Sequence, residues 1–206
     1  LTFQHPDRLP RQLGVLPWAV FYHPEELARI QARFPDDIIG APNIYRPSPR
    51  VHGDAYEVGS YTDDWGCVFT NLQRGVHGEV KDPILRDLAD WKSIQPPYET
   101  LPENLEATRE RIRRFCGETD RFVHGSCNPR PWERYQFLRG AESALMDVAD
   151  PSPEFLSLLR TIHEYYLREL EIWAATDVDG LAFMDDWGGQ RHLLISPDTG
   201  RAEFKP

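Results

Sequence analysis

The apolar and polar positions divide the chain into alternating strand-like and helix-like stretches. "HPEELARIQARF" places Pro24 at a helix start, with Leu27, Ile30 and Phe34 at helical spacing. "LPENLEATRERIRRFCGETD" has the pattern of a charged amphipathic helix, and "PRPWERYQFLRGAESALMDV" reads as another helix. "SPEFLSLLRTIHEYYLRELEIWAAT" predicts a long helix capped by Ser152, with Phe155, Leu158, Leu159, Ile162, Tyr166 and Leu170 as its buried stripe. Shorter apolar runs lie between these helices and read as strands. They are "DRLPRQLGVLPW" from Asp7 to Trp18, "PDDIIGAP" from Pro35 to Pro42, "RFVHGSC", and "VDGLAFMDDWGG". From Arg50 to Val80 the pattern changes to Gly-punctuated aromatic and β-branched residues, which predicts one or two hairpins.

Strands that alternate with helices imply parallel pairing through βαβ crossovers. No GxGxxG or Walker loop follows the first strand, so a nucleotide-binding doubly wound sheet is disfavoured. The expectation is an α/β chain of the (β/α)8 TIM-type barrel class. Only its N-terminal half is expected, about four βα units plus a hairpin insertion. Residues 1–206 then form one incomplete barrel domain, with residues 50–80 as the hairpin near its mouth. The first residue, Leu1, and the last stretch, "RAEFKP", make both ends read as cut.

Charge and cysteine usage narrow the partners. A formal net charge of −10 argues against nucleic acid and anionic membranes, and leaves a small-molecule substrate as the expected partner. A homodimer stays open. Cys67, Cys116 and Cys127 are too few and too scattered for a disulfide framework. With no apolar run of membrane-spanning length and no signal peptide, a cytoplasmic location is expected.

The tetrapeptide Asp-Asp-Trp-Gly occurs at residues 63–66 and again at 185–188, with unrelated flanks, so it is not a repeat unit. Asp185 and Asp186 follow an apolar strand, and the carboxyl ends of barrel strands carry the chemistry. They are the expected catalytic acids, with Trp187 and Gln190 beside them as substrate contacts. Asp63 and Asp64 lie near a hairpin turn, where acids commonly bond locally and a tryptophan commonly packs; the alternative is a lid over the mouth with Trp65 facing substrate. Arg11, in the first strand-end loop, suits a bidentate grip on a carboxylate. Arg130 follows the third strand close to the mouth, whereas Arg134 and Arg139 are expected on a solvated helix face. His124 and Cys127 form an H-x2-C pair that lacks a third zinc ligand. They read as a mouth-lining, substrate-contacting histidine and a small buried thiol, so no metal site is expected in the chain.

The stretch "FMDDWGGQRHLLISPDTGRAEFKP" resembles the strand and loop of the uroporphyrinogen decarboxylase superfamily at Asp185, Trp187, Gly188, Ser196, Pro197, Phe204 and Pro206. "HGSCNPRPWERYQFLRG" is similar to that family's strand-Pro-Trp-helix-Gly segment, and "PRQLGVLP" to its first arginine-bearing loop. Departures occur at Gly200, where an aromatic is usual, and at Val15, Asn43 and Phe137, which stand for an arginine, an aspartate and a tyrosine. One gap brings Tyr135 into the tyrosine's register as a substrate contact. The hairpin "YTDDWGCVF" is similar to an element common in methyltransferase-like members.

The resemblance implies an enzyme that decarboxylates a carboxylated, porphyrinogen-type substrate at the barrel mouth. No cofactor is implied, because the protonated pyrrole is its own electron sink. One alternative is a zinc-dependent methyltransferase acting with a corrinoid protein, its zinc ligands lying beyond residue 206. Another is a truncated, non-catalytic binding or scaffold barrel.

Overall fold

A computed structural model describes residues 8–205, which form a mixed α/β fold with two small sheets. In chain order, helices α1 (Pro17–Tyr22) and α2 (Pro24–Arg33) precede strand β1 (Ile38–Gly40). A meander of β2 (Gly59–Thr62), β3 (Val68–Asn71) and β4 (Glu79–Val80) follows. Then come α3 (Leu105–Gly117), β5 (Phe122–Ser126), α4 (Pro131–Arg139), α5 (Ala141–Ala149), α6 (Pro153–Ala174), β6 (Gly180–Ala182) and a final turn, α7 (Pro197–Thr199). No helix among the described residues is long and apolar enough to cross a membrane.

Strands β1, β5 and β6 are parallel in the order β1-β5-β6, with Ile39 opposite Val123 and Gly125 opposite Leu181. Helices α3 and α6 lie on the crossovers between them, as parallel pairing requires. One face of this sheet is covered by α6, so closely that a Cβ at Gly125 would sit 2.5 Å from the Trp173 ring. On the opposite face Gly40, Ser126 and Ala182 are exposed. Both β1 and β6 have a strand neighbour on one side only. The described residues therefore form an open three-stranded sheet and no closed barrel.

Helix α6 follows its sequence pattern. The Ser152 side chain accepts the Phe155 N–H at 3.1 Å, and Phe155, Leu158, Leu159, Ile162 and Tyr166 are buried. Tyr165, Glu169, Ile172 and Trp173 widen the stripe, while Leu170 is half-buried. Helices α2 and α3, strand β1 and the hairpin region also lie where the pattern puts them.

Three expectations are corrected. The described part of the Asp7–Trp18 stretch contains no strand, and Asp7 itself lies outside the described residues. Its backbone is instead held by carboxylates: the Arg11 N–H donates to Asp37 at 2.8 Å and the Leu13 N–H to Asp36 at 2.7 Å. Pro17 then starts α1, because it fixes φ and lacks a ladder donor. The single helix expected after Arg130 is two, broken at Gly140, whose φ of +83° no helix accommodates. The last strand ends at Ala182, with Phe183 and Met184 exposed between it and Asp185. Its final pairing is the Cys127 N–H to the Ala182 carbonyl at 3.0 Å, after which Pro129 and Pro131 turn its partner away into α4.

Candidate functional site

The β2–β3 turn begins with an acid that binds its own loop. Asp63 is buried, and its Oδ1 accepts the N–H groups of Trp65 at 3.0 Å and Cys67 at 2.8 Å. This closes the turn around Gly66, at φ +87°, a conformation costly for any residue with a Cβ. The other Asp63 oxygen accepts from the buried Arg134 of α4. The Arg134 guanidinium lies over the rings of Trp65 and Phe137, at 5.1 and 5.4 Å. One side chain thus shapes the hairpin turn and anchors it to α4. Arg134, expected on a solvated face, is buried by this pairing. Arg139 is likewise mostly buried, 2.7 Å from Asp147.

Anchoring the turn encloses a cavity of about 220 Å³ between the hairpin, the start of α4 and α6. A second cavity of about 360 Å³ adjoins it, and the two share Val51, Asp64 and Asn128. The cleft lies beyond the carboxyl ends of β1 and β5, which supply Tyr45 and Asn128 to its walls. That is where parallel α/β sheets place ligands. Its walls are largely aromatic, with Trp65 set edge-on to Tyr165 at 5.2 Å and Tyr166 beside it.

Asp64 is the acid of this cleft. It is half-buried, and its carboxyl accepts from no other residue among those described. Burial raises its pKa, with Asp63 adding to the shift and Arg134 opposing it. Arg130 lines the same cavity, and its guanidinium's one hydrogen bond to a described residue is a 3.3 Å contact with Glu133. Most of its fork is therefore available to an anion. The phenols of Tyr165 and Tyr166 are pushed upward by burial, so they remain neutral hydroxyls at physiological pH.

Under the cleft lies Glu169, fully buried on α6. Its Oε1 accepts the Tyr45 hydroxyl and the Asn128 N–H, both at 2.5 Å, and its Oε2 has no partner among the described residues. Burial raises its pKa.

Of the residues expected from sequence to be catalytic or to contact substrate, Arg130 alone joins this cavity. Asp185 spans the α4 N-terminus, where its two oxygens accept the Trp132 and Glu133 N–H groups at 2.9 Å each. Burial raises its pKa to about 6 against the pull of those two amides. Asp186 is exposed and accepts the Gly188 N–H at 3.3 Å. Trp187 stacks on Trp132 at 6.4 Å and meets Phe204 edge-on at 4.9 Å, away from the cavity lining. Gln190 is exposed. Tyr135 is in the core, bonded to Asp147 at 2.9 Å, and Phe137 lines the cavity instead. Arg11 lies over the Phe34 ring at 5.6 Å, and His124 meets Gln12 at 3.2 Å on the open sheet face. Cys127 is buried with its thiol raised to about 11 by burial.

Asp64, Arg134, Glu169 and Asn128 were not singled out by sequence reasoning as site residues. Glu169 carried a readable signal, since it falls three and four residues from Tyr166 and Tyr165 on the buried stripe of α6. Asp64 carried none, because alternation at a tight turn does not say which acid faces inward. No group of three or more His, Cys, Asp or Glu side chains that could hold a metal ion occurs among the described residues. No family model matches the chain, and no curated protein or solved structure matches it either.

Proposed function

We propose that the cleft binds a carboxylated small molecule and transfers a proton to it, in a cofactor-free decarboxylation of the uroporphyrinogen decarboxylase kind. The observation that carries this reading is Asp64, a carboxyl group in an aromatic cavity that accepts a hydrogen bond from no other described residue and whose pKa is raised by burial. A raised carboxyl keeps a proton to donate at higher pH than a solvated one does. Arg130 is the carboxylate fork. Arg134, neutralised by Asp63, keeps the hairpin in place.

In this scheme Asp64 protonates a ring carbon of the substrate. The cationic ring then draws the electron pair of the bond to the departing carboxylate. Carbon dioxide leaves and the electron pair forms an exocyclic methylene on the ring. A proton added to that methylene and loss of the one on the ring carbon give a methyl group, so that one proton replaces one carboxylate. The bare sheet face and two open edges support the finer fold reading, in which these strands belong to a larger barrel. Parallel sheets are normally covered on both faces.

The direct test is incubation of the full-length protein with uroporphyrinogen, followed by chromatography of the oxidised porphyrins. Asp64→Asn is expected to lower kcat by about a hundredfold or more while leaving the fold intact. Full turnover in that variant removes Asp64 from the chemistry. Binding of carboxylates with no carbon dioxide release reduces the cleft to a binding site.

A further inference from the structure

Glu169 has no part in the scheme above, yet it is the most deeply buried acid beside the cleft. Its Oε1 joins three elements at one atom. Tyr45, which follows β1, donates its hydroxyl at 2.5 Å, and Asn128, which follows β5, donates its N–H at 2.5 Å. The Tyr45 oxygen is held in turn by the Trp173 indole N–H at 3.0 Å. Tyr45 and Asn128 both line the cleft, and Asn128 lines both of its compartments. Among the described residues, the geometry favours the protonated form. An ionised carboxylate would leave a charged Oε2 buried without a donor, which is far more costly than one unpaired neutral hydroxyl. With both donors directed at Oε1, the proton belongs on Oε2.

We propose that Glu169 is a positioning residue that holds the cleft floor in shape as a neutral carboxylic acid, and that its ionisation loosens the Tyr45 and Asn128 walls. The proposal rests on the cleft being the ligand site. The titratable groups facing Glu169 are Tyr45 beyond β1, Asp64 on the hairpin, Cys127 and Arg130 between β5 and α4, and Tyr165 and Tyr166 on its own helix. Arg130 is the single cation among them. Burial and Asp64 favour the protonated form, whereas the two hydrogen bonds to Oε1 and Arg130 oppose it. As pH rises, the floor is therefore expected to loosen and carboxylate binding to weaken.

Benzoate is the probe, titrated into the full-length protein by tryptophan fluorescence, because Trp65 lines the cavity. Glu169→Gln preserves an Oε1 acceptor and cannot ionise. It is expected to bind benzoate within about threefold of wild type at low pH, with a smaller loss as pH rises. Glu169→Leu removes the acceptor and is expected to weaken binding about tenfold or more. If the leucine variant does not fold, the glutamine comparison still decides. Identical pH profiles for wild type and Glu169→Gln, or equal damage from both substitutions, overturn the proposal. Should wild type bind no benzoate, the ligand-site reading fails, and infrared difference spectra then test Glu169 alone. A protonated-carboxyl band at neutral pH that disappears in Glu169→Gln supports the neutral acid, and no difference overturns it.

Discussion

The two Asp-Asp-Trp-Gly stretches have the same four residues and opposite environments. In the first, Asp63 is buried, makes two local N–H contacts and pairs with Arg134, while Asp64 faces a cavity. In the second, Asp185 reaches 53 and 52 residues back along the chain to hold the N–H groups of Trp132 and Glu133, and Asp186 is exposed. The tryptophans differ as well. Trp65 is buried against Tyr165 and the Arg134 guanidinium, and Trp187 is half-buried against Trp132 and Phe204. The same side chains thus serve a turn and a cleft in one place and a helix terminus in the other. A motif's chemistry follows from what surrounds it.

Substitution at the first acid of each copy gives the widest separation. Asp63→Ala leaves Arg134 buried and unpaired and is expected to cost about 3–5 kcal/mol in urea unfolding. Asp185→Ala removes a helix-terminal cap and is expected to cost about 1 kcal/mol. Equal costs would show that the two acids are structurally equivalent.

The second acids separate in function. Asp64→Asn is expected to cut turnover about a hundredfold or more, and Asp186→Asn to leave it unchanged. A loss confined to the Asp186 variant would move the site to the other copy.

Gly66→Ala forces a side chain into positive φ although nothing lies within 4 Å of the new Cβ, so its expected cost of about 1–2 kcal/mol is conformational. Gly188 is not among the positive-φ glycines, and a Cβ there meets its nearest atom at 3.8 Å. Its alanine variant is expected to lie within about 0.5 kcal/mol of wild type. Thermal or urea midpoints of the pair check this directly.

The smallest expected difference is in pH dependence. Burial raises the Asp64 pKa above its ordinary 3.8. The folded state therefore binds this proton more tightly than the unfolded chain does. Its contribution to stability is complete below the unfolded value and is lost as pH rises through the folded one. Asp64→Asn should accordingly flatten part of the decline in stability above that value. Matching melting-temperature profiles for wild type and Asp64→Asn would count against burial of that carboxyl.

The sequence by itself determined the features that depend on near neighbours. The Ser152 cap, the stripe of α6, the Pro24 helix start, the short parallel-type strands and the hairpin region all follow from spacings of one to four residues, which helix and strand geometry make legible. The stretch from Asp7 to Trp18 reads as a strand on the same basis. There the carboxylates of Asp36 and Asp37 bind the backbone and replace a ladder. Only the tertiary structure decided which Asp-Asp-Trp-Gly faces a cavity, why Arg134 is buried, and that Asp185 closes the start of α4. Each depends on a partner more than 50 residues away, and no local period encodes that separation. Glu169 lies between the two cases. Its position on an apolar stripe was readable, but its state depends on Tyr45 and Asn128, which the fold brings to within 2.5 Å of one oxygen.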